Sequence, residues 1–187
     1  MELNLPFEAI KLKLATYAAL RPEAWHSISA QLKSTALKAD ESFTREKGSI
    51  AYVVSGLMKE YDSRARKKPA IVNFINSTNF ILTTEHNRNR YLKAITDTTI
   101  VYLDFESLLS LFLLFRELKP IYDAALVNYE EGLDFRHSLL EERLATKKIQ
   151  SFIIQYRPIL SYLKKKDIAN YCHIPYDNFV RHYNDLL

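Results

Sequence analysis

The stretch that decides the fold lies near the C-terminus, where residues 164–183 are KKKDIANYCHIPYDNFVRHY. Asp167 can cap a first helix by accepting a backbone N–H bond in its first turn, and Ile168 and Cys172 then share one apolar face. Pro175 has no N–H to donate, so it ends one helical ladder and suits the start of the next helix. The pattern therefore predicts two short helices around a tight turn.

The second of these helices has two different faces. Its buried face is predicted to carry three apolar residues at helical spacing, Phe179, Tyr183 and Leu186. Its opposite face carries Tyr176, Asp177, Asn178 and Arg181. This layout is typical of a helix-turn-helix, whose second helix lies in the major groove of DNA, and it is equally compatible with an ordinary αα-hairpin.

If this hairpin binds DNA, geometry determines its contacts. The N-terminal end of the second helix enters the groove, so we expect base contacts from Tyr176, Asn178 and Arg181. Phosphate contacts are expected from the three lysines that precede the hairpin, Lys164, Lys165 and Lys166. The net charge of +4 is compatible with a nucleic-acid partner but does not identify one.

The composition excludes several classes of protein. The 187 residues are 48% hydrophobic, which is enough for one compact domain or two small ones. The longest apolar run, 108–115, is shorter than the roughly 18 residues of a membrane span, and the N-terminus shows no secretion signal. We therefore expect a cytoplasmic protein with no membrane partner. The single cysteine, Cys172, excludes a disulfide framework and a cysteine zinc site.

The middle of the chain changes its hydrophobic period. Residues 1–38 have helical spacing of apolar residues, whereas 43–103 contains short segments rich in β-branched and aromatic residues. Polar turns separate these segments, one of them a basic turn at 64–68. The pattern predicts N-terminal helices followed by a small antiparallel barrel or roll.

The helical period returns after Asp104, and a long helix is predicted to run to about Arg143. It carries an apolar seam with alternating steps of four and three, typical of a dimer interface. We expect the interface residues to be Tyr122, Leu126, Tyr129, Leu133 and Leu140. Arg136 lies on the same seam and would need a carboxylate of the partner, Glu130 or Glu141. The alternative is a helix packed on its own roll, but a closed roll leaves such a helix little core to cover.

Three local marks follow one another along the chain. They are Val53-Val54-Ser55-Gly56-Leu57, Tyr91-Leu92-Lys93-Ala94-Ile95, and Ile168-Ala169 with Ile174-Pro175-Tyr176-Asp177-Asn178-Phe179-Val180-Arg181. Because of these marks and their order, the chain resembles the Crp/Fnr family of bacterial transcription regulators. The resemblance extends from about Leu20 to the end of the chain. The chain looks most like short members that end soon after the recognition helix, without a β-hairpin wing.

The resemblance implies an α+β fold with three parts. A ligand-sensing antiparallel β-roll, similar to a cyclic nucleotide-binding domain and flanked by helices, would occupy 1–116. A long dimerisation helix would occupy 117–143, and a helix-turn-helix that binds DNA would occupy 144–187. The resemblance also implies a homodimer that binds an inverted-repeat operator.

The chain departs from the family where some members hold a cyclic nucleotide. Those members bind its phosphate with a Gly-Glu pair and a following arginine, whereas residues 80–90 occupy that place here with no glycine. Arg88 and Arg90 are the candidate ligand-binding residues. A guanidinium without surrounding backbone N–H groups is a poor phosphate cradle, so we expect no control by cyclic nucleotide. An unidentified small-molecule effector stays open. His173 replaces the family's turn glycine, at some backbone strain.

No pattern indicates catalysis. The five histidines lack metal-ligand spacing, and the chain has neither a phosphate-cradling glycine loop nor a nucleophile elbow. We expect no enzyme activity, no metal and no cofactor. The sequence thus predicts a DNA-binding transcription regulator. The alternatives are a β-roll module that binds a small molecule and a structural dimer that has lost DNA binding.

Overall fold

The computed structural model of the chain describes residues 5–63, 68–87 and 89–186. Its helices are α1 (Leu5–Ala15), α2 (Pro22–Gln31), α3 (Phe105–Leu114), α4 (Leu118–Glu141), α5 (Ala145–Gln155), the 3-10 helix Arg157–Tyr162, α6 (Lys165–Cys172) and α7 (Tyr176–Asn184). Its strands are β1 (Lys33–Leu37), β2 (Ser42–Phe43), β3 (Ile50–Ser55), β4 (Leu57–Asp62), β5 (Ala70–Asn76), β6 (Phe80–Leu82), β7 (Tyr91–Ala94) and β8 (Thr98–Leu103). The basic turn lies largely outside the described residues.

The strands form two antiparallel sheets, in the orders β1-β8-β3-β6 and β2-β7-β4-β5. Gly56 joins β3 to β4 with a φ of +95°, and a Cβ there would lie 2.5 Å from the carbonyl oxygen of Asp97. Only glycine fits this turn without displacing the backbone. The structure confirms the predicted α+β fold with an antiparallel β-roll flanked by helices.

One N-terminal prediction is wrong. Residues 33–37, included in the helical segment 1–38, form β1 and pair with β8, with Thr35 opposite Ile100. The β-branched Thr35 suits a strand, and the open edge of β8 offers backbone partners that no local pattern reveals.

Two apolar cores share the molecule. The larger lies inside the roll and is covered by α1, α3 and α4, with Leu82, Leu92 and Ile100 fully buried. The second joins the C-terminal helices to β5 through rings of Phe74, Phe152, Tyr156 and Tyr171, whose centroids lie 4.7–5.9 Å apart. The helix-turn-helix is therefore packed on the outside of the roll.

The long helix α4 packs on its own roll. Tyr122, Leu126 and Leu133 are half-buried against the roll core. The seam prediction is wrong for Tyr129, which is buried inside the chain, and for Arg136, which lies buried with its guanidinium 5.6 Å from the Tyr171 ring centroid. The argument that a closed roll leaves α4 little core to cover fails because α4 lies across β5 and β6.

Candidate nucleic-acid interface and roll interior

The C-terminal helices form the predicted helix-turn-helix. His173 ends α6 in the left-handed region, with φ of 56°, and the Ile174 N–H donates to the Ala169 carbonyl oxygen at 3.0 Å. This bond closes the end of α6 as a helix C-cap does. Phe179 and Tyr183 are buried, so they hold α7 against the core as expected.

The predicted base-contacting residues are all at least partly exposed on α7. Tyr176 is 42% exposed, Arg181 is exposed and Asn178 is half-buried. An Arg181 Nη2 group donates to the Asn178 Oδ1 atom at 3.1 Å, which brings the two side chains together without a ligand. The helix can therefore offer a guanidinium and an amide side by side.

The three predicted phosphate-contacting lysines are exposed at the start of α6. Lys165 Nζ donates to Asn184 Oδ1 at 3.0 Å and stands over the Tyr183 ring, and Lys166 Nζ lies 5.9 Å from the Tyr176 ring centroid. These contacts keep the ammonium groups of α6 next to the exposed face of α7.

Asp167 does not cap α6. Lys164 holds the cap position without a side-chain bond, and the Asp167 carboxylate accepts from Lys59 Nζ of β4 at 2.7 Å. Burial opposes the charge on Lys59 and is the largest single effect, but Asp167 and Tyr61 together outweigh it, so the pKa of the Lys59 amine is raised. The local capping rule failed because a buried cation competes for the carboxylate.

Asn170 ties α6 to the roll a second time. Its Oδ1 atom accepts from the Ile71 N–H at 2.7 Å, and its Nδ2 group donates to the Pro69 carbonyl oxygen at 3.0 Å. The side chain therefore satisfies backbone groups beside β5, as a neighbouring strand would.

A charged cluster fills the roll interior beside residues 83–87, which follow β6. Arg45 Nη1 contacts Glu60 Oε1, and the two side chains are 2% and 0% exposed. The Tyr129 hydroxyl donates to Glu60 at 2.7 Å and accepts from Asn87 Nδ2 at 3.2 Å. Burial raises the pKa of Tyr129 to about 12, with a contribution from Glu60.

Of the two candidate ligand-binding arginines, the structure describes only Arg90. Arg88 lies outside the described residues. Arg90 joins the cluster, because its guanidinium lies 3.4 Å from Asp62 Oδ2 and 3.8 Å from Glu60 Oε1.

Sequence reasoning missed Arg45, Glu60 and Asn87. The one signal available was the adjacent pair Lys59-Glu60 within a strand, where alternation requires one of the two to face inward.

Membrane spans and metal centres are both absent from the part of the chain that the structure describes. None of its helices combines the length and apolarity needed to cross a bilayer. Its His, Cys, Asp and Glu side chains form no group of three or more able to hold a metal ion.

Comparisons with known proteins find structural neighbours only. No protein-family model matches the sequence, and no curated protein matches it. A protein assigned to the crp/fnr family of transcriptional regulators from Eubacterium rectale aligns with a TM-score of 0.72 and 12% identity, over 88% of this chain and 82% of that one. FixK2 from Bradyrhizobium japonicum aligns with a TM-score of 0.70 and 15% identity, over 83% and 84%.

A third neighbour extends the comparison to a nucleotide-responsive protein. The c-di-GMP responsive global regulator CLP from Xanthomonas campestris aligns with a TM-score of 0.63 and 15% identity, over 89% of this chain and 91% of that one. All three alignments include most of both chains. The chain therefore has a Crp/Fnr-like fold, with its cyclic nucleotide-binding-type roll, long helix and terminal helix-turn-helix.

Proposed function

We propose that this chain is a cytoplasmic Crp/Fnr-like transcription regulator that binds DNA as a homodimer and is not controlled by cyclic nucleotide. The observation that supports the proposal is the outer side of α7, where Tyr176 begins the helix and the exposed Arg181 guanidinium donates to Asn178. Two of the neighbours above, the protein from Eubacterium rectale and CLP, are described as regulators. The proposed division remains 1–116, 117–143 and 144–187.

Salt-dependent binding to DNA tests this function against its alternatives. A regulator should bind a selected inverted repeat more tightly than random DNA, and both affinities should fall with salt. A small-molecule module or a purely structural dimer should show no sequence preference.

The proposed dimer interface uses the outer part of α4. Tyr122, Leu126, Leu133 and Leu140 are each half-buried, so part of each side chain remains to be covered. Val127, on the same helix, is 57% exposed. A two-fold contact along α4 would cover these residues on both protomers at once.

Replacing Leu140 by aspartate should weaken the dimer. Leu140 belongs to neither apolar core, so its substitution should alter the proposed dimer interface and leave the packing inside each protomer unchanged. A buried leucine contributes about 1.5–3 kcal/mol, which corresponds to at least a tenfold rise in the dimer Kd. Light scattering over a dilution series measures the dimer Kd. His137→Asp, exposed on the same helix, is the control. A wild-type monomer at micromolar concentration, or equal Kd values for Leu140→Asp and the wild type, contradicts the interface.

Cyclic AMP and cyclic GMP should bind no better than millimolar. The roll interior beside residues 83–87 is filled by Arg45, Glu60 and Tyr129, and Arg90 already faces two carboxylates. A phosphate would have to break these pairs, whereas micromolar binding needs about 8 kcal/mol. Isothermal calorimetry on the dimer measures the affinity. Saturable binding near 1 µM contradicts the proposed loss of nucleotide control.

A further inference from the structure

A polar cavity lies where the roll, α4 and the C-terminal helices meet. Its volume is about 230 Å³, far above the ~10–15 Å³ that one water requires. The roll contributes β5, β6 and the turn between them, and the C-terminal part contributes the end of α5 and the following 3-10 helix. From α4 come Asn128, Tyr129, Glu131 and Gly132. A ligand here would touch all three parts of the chain.

Side-chain amides dominate the polar lining. They belong to Asn73, Asn76, Asn79, Asn128 and Gln155. Asn79 donates to Asn76, which leaves the other atom of each amide for a ligand. Asn128 Oδ1 is buried without a hydrogen-bond partner among the described residues. Buried amide groups of this kind are normally satisfied by water or a ligand.

Asn73 is the deepest of these amides. The residue is 4% exposed, and its side chain makes no hydrogen bond to any residue that the structure describes. Gly132 makes room for it, since a Cβ on Gly132 would lie 2.6 Å from Asn73 Oδ1. A glycine inside a long helix weakens that helix, and here it allows an amide to reach the cavity.

The charge of the lining restricts the ligand. Among the described residues, no lysine, arginine or histidine lines the cavity, and the exposed carboxylate of Glu131 stands at its rim. An anion entering would meet this carboxylate without a compensating cation. The cavity therefore suits an uncharged molecule.

We propose that this cavity binds an uncharged planar heterocycle of the nucleobase type. A side-chain amide can donate and accept at once and so pairs with the adjacent donor and acceptor on the edge of a base. Phe74, Phe80 and Tyr156 also line the cavity, but each is at most 8% exposed, so the amides supply the contacts that would recognise the ligand. Binding would bridge β5, α4 and α5. The bridge would bias the position of the helix-turn-helix, a regulatory consequence that rests on the proposed function although the binding itself does not.

Calorimetric titration of the full chain tests the ligand class. The probes are adenine, cytosine, adenosine 5′-monophosphate and glucose. Saturable binding of adenine or cytosine with a Kd below about 1 mM is expected, with the monophosphate at least about tenfold weaker than adenine. Absence of base binding at millimolar concentration, or tighter binding of glucose or the monophosphate, overturns the proposal.

Substitutions then locate the site. Glu131→Gln should reduce the ratio of the Kd for adenosine 5′-monophosphate to the Kd for adenine. Glu130→Gln makes the same charge change on the neighbouring exposed residue and should leave this ratio unchanged. Gly132→Ala should weaken base binding at least about tenfold by displacing Asn73, and Asn128→Leu provides a second test if that variant does not fold. If folded Gly132→Ala or folded Asn128→Leu binds adenine with the wild-type Kd, the proposed location of the base-binding site is wrong. Sequence-specific DNA binding is measured in a separate experiment. Failure of base binding in the cavity therefore leaves the proposed regulator function testable, and the reverse also holds.

Discussion

Selection from a random DNA library is expected to enrich an inverted repeat with the wild type, and Arg181→Ala is expected to bind that repeat about 30-fold to 10⁴-fold more weakly. An arginine can donate two bonds to the O6 and N7 atoms of guanine, and each such contact is worth about 1–3 kcal/mol. A dimer uses the contact twice, which gives about 2–6 kcal/mol in total. The exposed Arg181 guanidinium already lies beside Asn178, which can pair with adenine.

The control for this loss is Arg116→Ala. Arg116 is exposed between α3 and α4, away from the proposed interface, so its removal changes the net charge equally and should alter DNA affinity little. Two outcomes would remove the DNA hypothesis. Either the wild type enriches no inverted repeat, or Arg181→Ala enriches the same repeat with the same affinity, in which case the hairpin is a scaffold.

Alanine at Lys164, Lys165 and Lys166 should have a different signature. Phosphate contacts carry no sequence information, so the triple variant should lose affinity for all DNA sequences alike. The slope of log Kd against log salt should also decrease, by about 0.9 for each phosphate that the variant no longer neutralises. Fluorescence anisotropy over a salt series measures the slope. An unchanged slope would place the lysines outside the interface.

Replacing Arg45 by methionine is expected to lower the free energy of unfolding by about 3–5 kcal/mol. Arg45 and Glu60 are almost completely buried, so the change leaves an uncompensated carboxylate in the roll interior. The Tyr129 hydroxyl can still donate to Glu60, and the Arg90 guanidinium lies 3.8 Å away, but neither replaces the direct contact.

The double variant Arg45→Met/Glu60→Gln separates charge from packing. A neutral glutamine can still accept from Tyr129, so most of the stability should return. Urea unfolding followed by circular dichroism at matched protein concentration gives the free energies. Arg116→Met, on the surface, should change stability by less than about 0.5 kcal/mol. A decrease below about 1 kcal/mol in Arg45→Met, or a double variant as unstable as the single one, argues against a stabilising buried pair.

The unfolding experiment also bears on function. The Arg45–Glu60 pair occupies the roll interior beside residues 83–87, in the segment where the resemblance to the Crp/Fnr family would place a nucleotide phosphate. A stabilising pair at this place means that a nucleotide must compete with the fold for the same space. Among the described residues, no ion pair fills the cavity lined by Asn73 and Asn128, which is why we place the proposed ligand there.

The sequence by itself determined the elements that local chemistry controls. Pro175 and the positive φ of His173 end α6 and begin α7, and the apolar spacing of Phe179 and Tyr183 orients α7. Gly56 marks the turn between two strands of the roll because it alone tolerates a φ of +95°. Each of these features depends on residues within a few positions of one another, so a pattern in the sequence is enough to find it.

Only the tertiary structure decided which partners distant residues choose. Asp167 pairs with Lys59, 108 positions away, instead of capping its own helix. Tyr129 turns from the predicted dimer seam into the roll, where its hydroxyl donates to Glu60. A helical period shows that α4 has an apolar stripe, but it does not say whether a second protomer or the chain's own roll covers that stripe. That choice depends on the shape of the completed roll, to which residues from the whole chain contribute.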